Sequence, residues 1–392
     1  MNILIITFSG IPTTDYCLPL IDKLQNEHDI QTTYLLSHSL NSKNIFNEHG
    51  DSERMMDSMN IVNIDLSTFS IIKYINSIFK FSLRNTQGNN YFIKLFNKLE
   101  KALIKNLNLT IKTLKKIKPD VVFFDHRQPE SIENYKEIFD YLTKEEVRVF
   151  LTPHAPHYLK PKEHLSTNLD QNVMSKIVYL DAFKYTELSE DISSQYKDII
   201  CTSYPGLEDF WLDRIKKLTK YENSLIVMLR PFHTISSKWD RAEKVVLHQN
   251  ELSEIIDCVN KISQKNEYEN IIVKPHPKNY IQDLEEYFLT FIKHKNITLY
   301  KDSIYNLISK NNHFISTYST TALLPIANQS PTYIVNTEIF SKVFNDWDVL
   351  RDLYSKFSGF TTSSHILDIQ IDTSSDKKHL NNFFTSNNYQ IF

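Results

Sequence analysis

The chain has 392 residues, 41% hydrophobic and 23% charged, which suits two domains of an ordinary globular protein. Its formal net charge of −3 excludes a chain that binds polyanions as a whole, so no nucleic-acid partner is expected. Five scattered glycines exclude a glycine-rich nucleotide loop, and three distant cysteines exclude a disulfide framework and a CxxC metal site. Phosphate binding must therefore rely on Ser, Thr, His, Arg or Lys side chains. The opening run Met1–Ile6 is too short for a signal peptide, and no run reaches the length of a membrane span. A cytoplasmic location is expected.

Asn2–Phe8 reads as a buried strand, followed by the polar turn Ser9–Thr14 and a helical pattern from Asp15 to Leu24. Asp15 stands where an N-cap or first-turn acid belongs. Thr32–Leu36 and Asn60–Ile64 are further short strands. From 71 to 118 the basic residues face a single acid, Glu100, and apolar residues from Phe92 to Leu114 recur at three and four. This predicts one long amphipathic helix, ended by Pro119. Its lysines, among them Lys94, Lys98, Lys101, Lys105, Lys112, Lys115 and Lys116, are either a solvated face or a contact for anionic lipid or an anionic acceptor. Two more strands follow, Asp120–Phe124 running into Asp125 and Arg148–Leu151 running into Pro153-His154-Ala155. The polar stretch 216–223 lacks an apolar period, so the boundary is expected there, giving domains 1–220 and 221–392.

The second half alternates strands and helices. Ser224–Leu229 is a strand ending in Arg230, and His248–Ser263 a helix. Ile271–Val273, all β-branched, reads as a buried parallel strand that stops at Lys274-Pro275-His276-Pro277. Helix near Asp283–Ile292, strand Ile297–Tyr300, helix Ser303–Ser309 and strand His313–Ser316 come next. An apolar helix, Ala322–Ala327, and a strand, Thr332–Val335, complete an α/β pattern with a mainly parallel sheet. The polar tail from Ser374 is expected to be loosely held.

In open parallel sheets ligands bind at the carboxyl ends of the strands. His276, on a stiff Pro-His-Pro turn, and the hydroxyls of Ser316, Thr317, Ser319, Thr320 and Thr321 occupy such ends. Together they suit the phosphate of an anionic leaving group, with Lys274 and Arg230 as further donors. For Arg230 a plain salt bridge is the competing expectation. Asp346-Trp347-Asp348 lies beyond the last expected strand and reads as a solvated turn, so neither a metal nor a cofactor is expected.

Lys-Pro-His-Pro after a strand, then a Ser/Thr cluster ending another, resembles GT-B glycosyltransferases of bacterial surface polysaccharides. The groups meant are His-Pro-motif sialyltransferases, capsule-type Kdo transferases and CDP-glycerol-dependent teichoic acid polymerases. The resemblance covers roughly Ser224–Asn336 and implies two Rossmann-like domains facing a central cleft. It implies that His276, Ser319 and Thr320 bind the phosphate of a CMP- or CDP-activated donor, with a CMP-activated acidic sugar such as Kdo or a sialic acid type expected. It also implies a glycan or lipid-linked glycan acceptor in capsule or lipopolysaccharide synthesis, with the protein peripheral on the inner face of the plasma membrane. The acid-acid-glycine motif of the sialyltransferases is missing, which leaves His154, Asp125 and Asp15 as candidates for the general base. Three other expectations compete: a CDP-polyol phosphotransferase, a UDP-N-acetylglucosamine 2-epimerase-like enzyme, and a non-catalytic assembly partner working through the basic helix.

Overall fold

The computed structural model describes residues 1–7, 11–37, 58–65, 109–126, 136–153, 173, 175–181, 197–201, 204–230, 242–276, 288–317, 319–338, 340 and 352–384. They fall into two units, one carrying the described residues up to Cys201 and the other those from Tyr204 to Phe384.

The first unit opens with β1 (Asn2–Thr7), α1 (Ile11–Glu27), β2 (Thr32–Ser37) and β3 (Ile61–Asp65). It continues through α2 (Leu109–Ile117), β4 (Val121–His126), α3 (Lys136–Lys144), β5 (Arg148–Pro153), β6 (Ile177–Asp181) and β7 (Asp198–Cys201). All its described strands are parallel, in the order β3-β2-β1-β4-β5-β6-β7. Ile3–Ile6 and Val121–Phe124 are buried, as continuous apolar runs must be when helices cover both faces. Asp15 is not at a cap. The helix begins four residues earlier, because Pro12 is tolerated in a first helical turn whose amides have no intrahelical partner.

The second unit starts with a single 3₁₀ turn at Pro205–Leu207 and α4 (Asp209–Lys216). Trp211 of α4 is buried and meets Tyr305 edge-on, with ring centroids 6.2 Å apart, which ties this helix to the 304–307 segment of the same unit. The polar 216–223 run follows that helix. Next come β8 (Ser224–Met228), α5 (Ala242–Lys265), β9 (Asn270–Lys274), β10 (Ile297–Leu299) and β11 (His313–Ser316). The unit closes with α6 (Leu323–Ala327), β12 (Thr332–Val335), β13 (Phe360–Thr361) and α7 (Thr373–Phe383). Its strands are also parallel, ordered β10-β9-β8-β11-β12-β13. Apolar residues of α5, Leu252, Ile255, Val259 and Ile262, pack on Val227, Val273 and Ile315 of the sheet. The helix expected over Ser303–Ser309 is a 3₁₀ turn, Ile304–Leu307, capped by Ser303.

Two features lie beyond the sequence expectations. β13 adds a strand after β12, and the segment from Ser374 is largely α7 instead of a loose tail. Asp372 caps α7, accepting from the amides of Ser374 and Ser375. Buried Asp376 accepts from the Ser358 amide at 2.6 Å and hydroxyl at 2.7 Å, so the polar helix is pinned by specific hydrogen bonds. Beside Ser358, Gly359 passes so close to β12 that a Cβ there would lie 1.9 Å from the Thr332 carbonyl oxygen.

Gly359→Ala should therefore force β12 and β13 apart. Overpacking of this kind costs about 1–3 kcal/mol, read as a lower urea midpoint for the second unit. An unchanged midpoint would show that the backbone there gives way freely.

Candidate functional site

The carboxyl ends of three adjacent strands meet at one level in the second unit. Met228 of β8 is in register with Lys274 of β9 on one side and with Ser316 of β11 on the other. From β8 the chain moves outward in one direction to β9 and β10, and later returns on the other side as β11. The gap between β8 and β11 is thus the topological switch point, where open parallel sheets offer a crevice. Residues in register on parallel strands share a face. Lys274 and Ser316 therefore flank Met228 on the same face.

Three polar side chains at this edge are buried without adequate partners. The hydroxyls of Ser316 and Thr317, each residue 1% exposed, have no hydrogen-bond partner among the described residues. Lys274 is 8% exposed, and its only hydrogen bond among the described residues is a long 3.4 Å contact with the Pro275 carbonyl. Burial pushes its pKa down to about 8, against a smaller upward pull from Asp302. Buried polar groups are nearly always satisfied, so three unsatisfied ones together mark a place built for something else.

His276 lies two residues beyond Lys274 and is partly exposed, as expected of a residue carried past the strand by Pro275. Ser319 acts as the cap of a 3₁₀ turn, Thr320–Ala322, accepting from the Thr321 amide at 3.3 Å. That turn leads into α6, and Thr320 and Thr321 are partly exposed. The backbone at Ser319 is fixed by Tyr354, whose hydroxyl donates to the Ser319 carbonyl at 2.9 Å. Tyr354 is fully buried, which raises its pKa and keeps it a donor.

Arg230, two residues beyond β8, is engaged with Glu251 of α5. Its Nε donates to both carboxylate oxygens at 2.8 Å, and one Nη closes an ion pair with Oε2. Both side chains are almost completely buried, so this is the salt bridge that competed with phosphate binding in the sequence. Near the pair, Glu254 has its pKa raised by burial, partly offset by a hydrogen bond from the Glu338 amide and reinforced by the charges of Glu251 and Glu338. Sequence reading missed Glu251 and Tyr354. Glu251 did carry a signal: an acid at 251, at helical spacing from Ile255 and Ile262, sits on the apolar stripe and requires a buried partner.

In the first unit, Asp125 belongs to the carboxyl end of β4, one residue past the pairing of Phe124 with Ile6 of β1. Asp15 is in α1, and His154 lies outside the described residues. Lys112, Lys115 and Lys116 are exposed on α2, while Leu114 and Ile117 face the core. The apolar side of this helix is thus used internally. Lys94, Lys98, Lys101 and Lys105 fall outside the described residues, as does Asp346-Trp347-Asp348. Among the described residues no group of His, Cys, Asp or Glu side chains could hold a metal, and no helix is long and apolar enough to cross a membrane.

By sequence the chain matches no family model and no curated protein. By structure it is similar to a Listeria monocytogenes protein described as a UDP-N-acetylglucosamine 2-epimerase, at TM-score 0.53 and 11% identity over 97% of this chain and 90% of that one. It is also similar to the Neisseria meningitidis UDP-GlcNAc 2-epimerase bound to UDP-GlcNAc, at TM-score 0.50 and 10% identity over 97% and 94%. A glycosyltransferase from Rickettsia africae aligns over 98% and 94% at 13% identity, with a TM-score of 0.44. With its two parallel sheets and covering helices, the chain has the two-unit, Rossmann-like α/β fold of the GT-B type.

The buried ion pair yields a stability prediction. Glu251→Gln leaves the Arg230 guanidinium buried without a counter-charge, at a cost of about 3–5 kcal/mol. Replacing both residues together, Arg230→Met with Glu251→Leu, should recover most of that loss in urea unfolding. A single variant as stable as wild type would show that the pair is not electrostatically coupled.

Proposed function

We propose that the protein is a nucleotide-sugar-dependent glycosyltransferase, with the donor held by the second unit and the acceptor by the first. The observation that carries this reading is the convergence of Lys274, His276 and the unpartnered hydroxyls of Ser316 and Thr317 at the switch point of the second sheet. A departing phosphate supplies what those groups lack: acceptor oxygens for the hydroxyls and negative charge for the ammonium.

In the transfer, an acceptor hydroxyl attacks the anomeric carbon of the donor sugar. The bond from that carbon to the phosphate oxygen breaks, and its electron pair leaves with the nucleotide. The hydroxyl proton passes to a base, for which His154, Asp125 and Asp15 are the candidates. Lys274, His276 and the hydroxyls of the Ser316–Thr321 segment stabilise the charge that grows on the leaving phosphate. Ser319, already oriented as a cap, keeps a hydroxyl proton to donate. Following the resemblance of the Lys-Pro-His-Pro and Ser/Thr segments, we take the donor to be CMP- or CDP-activated and the acceptor a glycan or lipid-linked glycan of capsule or lipopolysaccharide synthesis.

The fold favours a second reading. The structures most similar in fold include two of the UDP-GlcNAc 2-epimerase type, one of them bound to UDP-GlcNAc. Thermal-shift measurements separate the two. Stabilisation by CMP or CDP over UDP is the expected result, and a response to UDP alone would turn the assignment to the epimerase. With the true donor in hand, His276→Ala should lower turnover about a hundred-fold or more without lowering the melting temperature, as for a lost charge-stabilising donor. Near-wild-type turnover would remove His276 from the site.

A lipid-linked acceptor would bring the protein to the cytoplasmic leaflet. Because Leu114 and Ile117 are committed to the core, α2 would act there by charge alone, at about 1 kcal/mol per basic residue near an anionic surface. Co-sedimentation with phosphatidylserine vesicles should be clear at low salt and lost at high salt. Charge reversal at Lys112, Lys115 and Lys116 should weaken it. Wild-type protein remaining in the supernatant at low salt would identify these lysines as a solvated face only.

A further inference from the structure

We infer that Lys274 is the principal charge of the phosphate site and that, in alkaline solution, phosphate binding is coupled to proton uptake at this one amine. This rests on the reading of the switch point as a phosphate site, and adds which group carries the charge and how pH governs it.

The geometry comes first. Lys274 ends a central strand, has no carboxylate in ion-pair contact among the described residues, and shares a face and a register row with the unpartnered Ser316 hydroxyl. Among the described residues the charges around it are few. Asp302, on the exposed segment after β10, acts on it only weakly. Arg230, beyond the end of β8, is neutralised by Glu251, and His276 lies two residues further along its own strand end. An ammonium buried in this way is unfavourable unless an anion joins it. Arg230 already has its counter-charge in Glu251. Lys274 is the cation here whose charge awaits a partner.

Linkage then fixes the sign. Burial lowers the Lys274 pKa from 10.5 to about 8, so the unfolded chain binds this proton more tightly than the folded one. Without ligand, stability rises with pH between those values and is lowest, and flat, below the lower one. A bound phosphate reverses the preference, since its charge favours the ammonium. The second pKa of a phosphomonoester is about 6, so above neutral pH the ligand stays fully charged and only the lysine titrates. Affinity should thus be constant up to pH about 8 and fall by as much as ten-fold per pH unit above it.

The test uses the full chain with CMP, UMP and inorganic phosphate as probes, read by calorimetry and thermal shift. Wild type should bind at pH 7 and lose affinity several-fold or more by pH 9.5. Lys274→Met, close in volume and uncharged, should melt higher than wild type without ligand at pH 7. It should also bind the probes about ten- to a hundred-fold more weakly, the loss expected for a charged hydrogen bond. If Lys274→Met fails to fold, the wild-type pH series decides alone. A flat wild-type series, or unchanged affinity in the variant, overturns the role of Lys274 and leaves the phosphate site standing. Wild type that binds none of the probes overturns both.

Discussion

Moving an ammonium out of water costs several kcal/mol unless a counter-charge meets it, and the second unit is arranged around one, Lys274, that has no carboxylate in ion-pair contact among the described residues. Lys274 reaches its position because Ile271–Val273 is a wholly buried strand that carries the next residue to the sheet's carboxyl edge. Parallel pairing then fixes its neighbours. With Met228 aligned to both Lys274 and Ser316, the lysine and the serine hydroxyl flank one apolar residue on one face. Pro275 prevents the strand from continuing and brings His276 to the same edge. Register, and not any single loop, thus gathers the candidate site.

The surroundings hold this arrangement in place by unequal means. Arg230 is held by Glu251 in a buried ion pair, which couples α5 to the end of β8. Tyr354 fixes the backbone at Ser319 through its hydroxyl. At the opposite end of the strands, Asn312 accepts from the Ser224 amide at 2.9 Å and donates to the carbonyls of Tyr221 and Leu307. It sets where β8 and β11 begin relative to one another, and so, four residues later, where Met228 and Ser316 stand.

Much of this was legible in the sequence where the physics is local. Apolar, largely β-branched runs such as Ile3–Ile6 and Ile271–Val273 read as buried strands, and Pro275 and Pro277 announce the turn that presents His276. What stayed hidden depends on contacts between distant residues. Two-residue β13 is too short for any pattern, and exists because Gly359 lets the backbone approach Thr332. Polar α7 looks like a tail until Asp376 is paired with Ser358. The burial of Lys274 is not legible in the sequence, because a residue before a proline turn is free to point away and sequence does not reveal which strand-end residue is shielded from water. The commitment of Arg230 was visible only as an alternative, since Glu251 is 21 residues away.

The central claim is that Lys274 is a buried cation awaiting an anion, and its own titration tests that most directly. Lysine-labelled protein, followed by NMR against pH and assigned with the Lys274→Met spectrum, should show one amine titrating near 8, far below its ordinary 10.5. Saturating CMP should move that titration upward. A Lys274 that titrates with the surface lysines, or that ignores the nucleotide, would contradict the account.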